Sequence, residues 1–363
     1  MTESVTAPEE HLSPWGHLRC LLTLGLTCLY LAWRPTGREW ALAFVLAPFL
    51  IDILALRSPP ERRQPRAGLS RGPYRALVYL LFCLQWLNLV LAADLLTRIE
   101  LFSLQAFAAL LLLSLSSSLA AGGAGHELIH RRSALDVVAG RLVLASMFYE
   151  HFYSEHLRGH HARAGTAEDP TTARFGESLL GYLLRAIPGQ ISSAWRLERI
   201  RLGKRSALVG FFANRVLQGF LLEGALILAF YLGFGEVGVL VLLLQGLTAN
   251  LLFQIMNYFQ HWGVTRDPSD PGGIAWDTTN RSSLLSMVGV ARHTDHHLQP
   301  GRPFQELRGT EAANELPGGY GTVIFLAVFR NRRFQELMTE ELRRRGRLPT
   351  TATRPEPAAQ GRA

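Results

Sequence analysis

Cysteine is scarce in this chain: three residues in 363. Cys20, Cys28 and Cys83 fall inside apolar stretches and no two form a CxxC pair, so they read as small apolar side chains in helices. That excludes an iron–sulfur or rubredoxin-like module within the chain. Electrons, if the protein needs them, must arrive from another protein. No cleavable signal peptide is expected either, because the first apolar block follows a polar, acidic stretch and leads straight into further apolar blocks. Missing too is the even spread of apolar residues that a soluble core requires.

The apolar residues come in blocks instead, at about residues 18–33, 40–56, 74–96, 104–124, 216–234 and 237–258. Several approach the ~20 residues that cross a ~30 Å hydrocarbon layer, so an all-α integral membrane protein with six transmembrane helices is expected. The first two are short, and a buried core helix is the other reading of each. Arginine crowds residues 57–66 and 131–215, whereas the turns 34–39, 97–103 and Gly235-Glu236 carry few charges. The arginine-rich side is therefore expected to be cytoplasmic, with both termini there. The net charge of +8 reads as membrane orientation and contact with anionic headgroups rather than nucleic-acid binding.

Nine of the twelve histidines occupy four short windows: His126-Glu127-Leu128-Ile129-His130, His156-Leu157-Arg158-Gly159-His160-His161, Asn257-Tyr258-Phe259-Gln260-His261 and His293-Thr294-Asp295-His296-His297. One HxxxH on a helix is more often a polar face than a ligand pair. Four windows together form a pattern. Residues four apart share a helix face, so His126 and His130, and His156 and His160, are expected to project together.

Along the chain, residues 1–14 read as a disordered tail, with His11 and His17 facing solvent or the interface. Asp52, in the second block, is expected near water or an arginine, since a carboxylate inside the membrane is costly. Ala120 to Gly125 is rich in small residues that allow close approach or a bend, and the helix is expected to continue through Arg132. His151 is expected to pack rather than ligate. Asp169-Pro170 stops a helix in an ordered turn, and residues 179–185 and 193–199 suit the headgroup layer. Residues 322–329 are too few to cross. Residues 341–363 read as a second disordered tail, which leaves one domain at 15–340 with a histidine-rich cap at 125–215 and 259–340.

Nine imidazoles exceed the four of a closed zinc site and match two adjacent metals. Carboxylates are expected to accept the outer ring N–H groups, with Glu127, Glu155, Glu168, Asp169 and Asp295 as candidates; ordinary surface charge or capping is the other reading of each.

The order HELIH, EHLRGHH, NYFQH and RHTDHH, with AEDPTTARFGES and SAWRLE after the second box, resembles the alkane 1-monooxygenase family over roughly residues 20–340. These are integral-membrane non-haem di-iron hydroxylases of the wider membrane desaturase and hydroxylase superfamily, which includes the xylene monooxygenase hydroxylase component. The resemblance implies a cytoplasmic di-iron site in a bacterial inner membrane, with His126, His130, His156, His160, His161, His261, His293, His296 and His297 as iron ligands. It further implies O₂, a hydrocarbon or fatty acyl substrate hydroxylated at a terminal C–H bond, and a separate rubredoxin- or ferredoxin-type donor with its reductase. A fatty acid desaturase using the same boxes, and a histidine-lined metal transporter or sensor, are the alternatives. Gln260 stands where the family usually has Glu, Val290-Ala291 where it usually has Leu-Gln, and HTDHH replaces HSDHH. The ligand set is unchanged by these departures; they bear on the substrate and on the groups around the ligands.

Overall fold

The computed structural model describes residues 14–55, 60–65, 70–205 and 207–349. After a 3-10 turn, Pro14–Cys20, come α1 (Leu21–Trp33), α2 (Arg38–Ala55), α3 (Arg71–Leu96) and α4 (Leu104–Ala120). A run of short elements follows: α5 (His126–Ile129), α6 (Ala134–Ala145), α7 (Phe152–Glu155) and α8 (His161–Arg163). Then come α9 (Leu179–Leu202), α10 (Ala207–Ala213) and the long α11 (Arg215–Gln260). The chain closes with α12 (Arg281–Ser286), α13 (His293–Leu298), α14 (Tyr320–Phe329) and α15 (Asn331–Arg344). Two short strands, β1 (Trp276–Asp277) and β2 (Asn314–Glu315), pair in parallel.

Among the described residues three helical stretches are long and apolar enough to cross a membrane: Arg71–Leu96, Leu104–Ile129 and Arg215–Gln260. Their outer faces carry exposed Leu80, Leu87, Phe107, Leu232, Leu244 and Leu247, a pattern that water would penalise and lipid accommodates. This is an integral membrane protein. Several of its polar side chains turn inward and pair with one another or with backbone carbonyls. Gln85 donates to Ser117 Oγ at 2.8 Å, Ser117 donates to Gln245 Oε1 at 2.7 Å, and Asn88 reaches the Leu24 carbonyl at 3.0 Å. Unpaired, each such group would be costly to bury.

α11 is two helices joined at Gly235, whose φ of 65° and ψ of −155° only glycine adopts readily. A Cβ placed on Gly238 would stand 2.6 Å from the Phe230 carbonyl oxygen. On a straight helix residues eight apart are separated by about 12 Å, so the chain has reversed. Residues 148–150 touch both arms: Glu150 N–H donates to Glu223 at 3.1 Å, and Asn250 donates to the Phe148 carbonyl at 3.4 Å. The turn expected at Gly235-Glu236 is thus a single-residue reversal.

Several expectations need correction. The helix does not continue through Arg132 but ends at Ile129, after a π-turn at Ala121–Gly125. His17 is buried rather than exposed, because the rings of Tyr74 and Phe304 close over it edge-on at 5.5 and 5.4 Å. The boundary of the C-terminal tail moves outward from 341. α15 runs to Arg344, packing Phe334, Met338 and Leu342 inward, and Arg347 pairs with Asp270 and donates to Asn314 Oδ1 at 2.8 Å. The stretches at 179–185 and 193–199 belong to one amphipathic helix, α9, with Leu180, Leu184, Trp195 and Ile200 exposed. The expectations for residues 1–13, His11, the Asp52 side chain and residues 350–363 lie outside the described residues.

Candidate metal centre

Two π-turns position the histidines. In an α-helix each N–H bonds four residues back; here His126 N–H bonds the Ala121 carbonyl and His161 N–H the His156 carbonyl, each five back. The wider second turn, His156–His160, brings His156 and His161 onto one side, with their Nε2 atoms 3.0 Å apart. His160 stays stacked on His156 at 5.4 Å, as the four-residue spacing predicts, but its Nε2 faces His261 of the other group.

All nine histidines of the four windows come together in two groups. His126, His130, His156, His161 and His296 form one; His160, His261, His293 and His297 form the other. Within the first, Nε2 separations are 3.0 Å for His156–His130, 3.3 Å for His161–His130 and 3.1 Å for His296–His161. In the second they are 3.1 Å for His160–His261, 2.9 Å for His261–His293 and 3.2 Å for His297–His293. Converging imidazole nitrogens repel unless something positive lies between them, and a proton satisfies only one pair at a time. A cation satisfies the whole set. Ligands about 2.1 Å from a metal stand about 3.0 Å apart at right-angled corners and about 3.4 Å apart in a tetrahedron. The observed spacings fit the right-angled arrangement better, and the donor set fits a transition metal.

Burial, followed by mutual repulsion, holds His156, His161, His293, His296 and His297 well below the ordinary imidazole pKa; burial takes His130 down to about 3. Neutral rings are the form that ligates. His160 goes the other way. Burial works against its protonation, but the Asp169 charge and hydrogen bond outweigh it.

Of the five carboxylates singled out, Asp169 alone meets a ligating-type ring, with Oδ2 2.9 Å from His160 Nδ1. Thr171 N–H and Thr172 Oγ1–H also donate to it, at 3.1 and 2.6 Å. Glu155 is fully buried with Arg163 3.5 Å away and no hydrogen bond to an imidazole. Glu127 pairs with Arg131 and accepts from the Phe304 N–H, Asp295 pairs with Arg302, and Glu168 is exposed. Those three are occupied elsewhere or too far out to support a ring. His151 belongs to neither group and packs edge-on against Tyr149 at 5.0 Å.

Sequence reasoning missed Asp277. Held by the β1–β2 pair, its Oδ1 accepts from Thr294 N–H at 2.7 Å and so pins the first turn of α13. It missed the chamber as well, a space of about 20 Å³ touching both groups through His126, His156, His160 and His293. Phe152, Phe253, Met256, Met287 and Val290 make its remaining wall apolar, with the amides of Asn257 and Gln260 at the edge. Val290 had a signal, since it is one of the departures noted above.

The sequence model of the fatty acid desaturase family matches residues 101–325. Alkane 1-monooxygenase 1 of Pseudomonas aeruginosa is 33% identical over 305 residues, covering 80% of each chain. Alkane 1-monooxygenase 1 of Alcanivorax borkumensis is 32% identical over 81% of this chain and 74% of its own. The xylene/toluene monooxygenase hydroxylase component of Pseudomonas putida is 28% identical over 53% of each. A membrane helical bundle with twin histidine clusters, matched by that model, is a member of the fatty acid desaturase family. Within it the chain belongs to the alkane 1-monooxygenase family, and it is an oxidoreductase of the monooxygenase type.

Proposed function

We propose that this protein is a di-iron monooxygenase that hydroxylates the terminal carbon of an alkane or alkyl chain. The observation that carries the reading is the five-and-four division of the nine imidazoles around one small apolar chamber. His126, His130, His156, His161 and His296 would hold one iron, and His160, His261, His293 and His297 the other. When bound, the pair supplies O₂ activation: one oxygen atom enters the C–H bond and the other leaves as water, with two electrons and two protons consumed.

The protein's own part is positioning. Asp169 fixes the His160 ring, and the Thr171 and Thr172 donors fix Asp169. The apolar wall excludes water and admits a methyl-sized group, which favours attack at a chain end. Asn257 and Gln260 offer the new hydroxyl group hydrogen-bond partners. A desaturase must pass the middle of a chain by its metals, and a chamber of this size supports the end-on reading instead. Six membrane passes, with α1, α2 and the two arms of α11 completing the set, are supported by the reversal at Gly235. The arginine distribution supports an inner-membrane location with the histidine groups and both termini on the cytoplasmic side. With no thiolate module in the sequence, a rubredoxin- or ferredoxin-type partner and its reductase would deliver the electrons.

The test is to purify the protein, measure its metal content, and supply reductant, donor protein and ¹⁸O₂ with a panel of hydrocarbons and fatty acyl compounds. About two irons per chain and ¹⁸O-labelled primary alcohol are expected. Unsaturated product without label would replace the reading with desaturation.

A further inference from the structure

We propose that the substrate's unbranched chain enters from the lipid through a crevice between α1, α4 and the second arm of α11. It would reach the chamber between Met256 and Met287, whose thioether ends form a gate over Gly122. This rests on the alkane-type reading above and adds the route and the residues that set how far the chain end advances.

The crevice has a volume of about 140 Å³ and is mostly apolar. Leu22, Leu26, Leu115, Leu119, Leu252 and Ile324 line it. Leu22 is exposed and the other five are half-buried, so the opening is on the side of the bundle, where the surrounding residues face lipid. Met256 and Met287 border the crevice and also the chamber. Among the described residues no other lines both.

The gate is defined by a glycine. A Cβ placed on Gly122 would lie 3.4 Å from the Met256 Cε and 3.7 Å from the Met287 Cε, so the two methyl ends converge on one spot that Gly122 leaves empty. Methionine is unbranched and soft, and it can swing aside and close again without a fixed rotamer. One wall of the passage is fixed. Gln260, in the chamber, donates from Nε2 to the Tyr320 hydroxyl, in the crevice, at 2.7 Å, which ties the two compartments together. An alkane is the occupant these surfaces suit: it has no polar group to satisfy, it partitions into the bilayer core, and its free end is the part that must pass two methyl groups.

The experiment uses the full chain in lipid nanodiscs and a dodecane probe carrying a terminal diazirine, with labelled peptides mapped by mass spectrometry. In metal-free protein the probe is expected to label the peptides containing Met256 and Met287, and excess dodecane to suppress that labelling. Gly122→Ala, whose added methyl fills the convergence point, is expected to lower chamber labelling at least tenfold while crevice labelling persists. In metal-loaded protein, Met256→Ala and Met287→Ala are expected to raise the share of subterminal alcohol at least fivefold, and Met287→Leu, which conserves volume, to leave it near the wild-type value. Labelling confined to other surfaces, or labelling and product ratios unchanged across all these variants, overturns the gate. A loaded wild type that oxidises no hydrocarbon overturns the functional reading, and the metal-free labelling distinguishes that failure from failure of the gate.

Discussion

Asp169 holds His160 by a 2.9 Å hydrogen bond from the ring Nδ1, and it is in turn held by Thr171 and Thr172. Against the burial that would raise it, the neighbouring His160, with Thr172, keeps this carboxyl down at about 2. Asp169→Asn keeps the shape and removes the charge. Metal affinity of the four-histidine group is expected to fall about 10–100-fold. Metal titration followed by elemental analysis checks this; unchanged affinity would show that the carboxylate serves the 166–174 turn alone.

The two histidine groups share no residue, so a single substitution should empty its own group and only weaken the other, through the turn they share. His130→Ala and His297→Ala are each expected to leave about one metal per chain after mild chelation, and to abolish hydroxylation. Retention of both metals in either variant would count against the five-and-four division.

Gln260 and Tyr320 are both buried, and the bond between them is 2.7 Å. Tyr320→Phe strands the Gln260 amide, which is expected to cost about 1–3 kcal/mol of stability. Gln260→Glu should preserve the contact by accepting from the Tyr320 hydroxyl. Thermal unfolding of the two variants beside wild type reads the difference.

His17 supplies the pH test. Burial first, and then the nearby Arg292 charge, lower its pKa from 6.5 to about 4. Between those values the unfolded chain takes up a proton that the folded chain refuses, so stability falls as pH drops from 6.5 to 4. At ~1.4 kcal/mol per unit this contribution approaches about 3 kcal/mol. The buried imidazoles whose pKa is lowered add slopes of the same sign, and His160, whose pKa is raised, adds one of the opposite sign. His17→Phe removes only this one, and the stability gap between wild type and variant, measured by unfolding of metal-free protein, should move in the variant's favour by that amount across the window.

Gly235→Ala probes the reversal in α11. No atom lies within 4 Å of the added Cβ, so the cost is purely conformational, about 1–3 kcal/mol. Unfolding in mixed micelles would measure it. A neutral result would mean the two arms tolerate a different joint.

Much of the site was legible because histidine is rare elsewhere in the chain and its four windows are compact. What the windows did not reveal was which rings share a group. Spacing arguments assume 3.6 residues per turn, and His156 pairs with His161 because the turn there closes five residues back. Glu127 and Asp295 looked like ring partners for their position next to ligating-type histidines, but adjacency on a helix turns a side chain about 100° away, toward Arg131 and Arg302. Burial of His17 depends on Tyr74 and Phe304, which are distant in sequence, and no local pattern carries that contact. The long α3 and α4 were plain from hydropathy, whereas the chamber wall, drawn from four separate segments, could be seen only once those segments were packed together.

His160 sits between His156 and His161 on one short turn, yet it serves the opposite group. Whatever freezes that turn for one set of nitrogens has already met part of the ordering cost for the other. Loading should therefore be cooperative: in a sample given too little iron, full and empty molecules should outnumber those carrying a single ion.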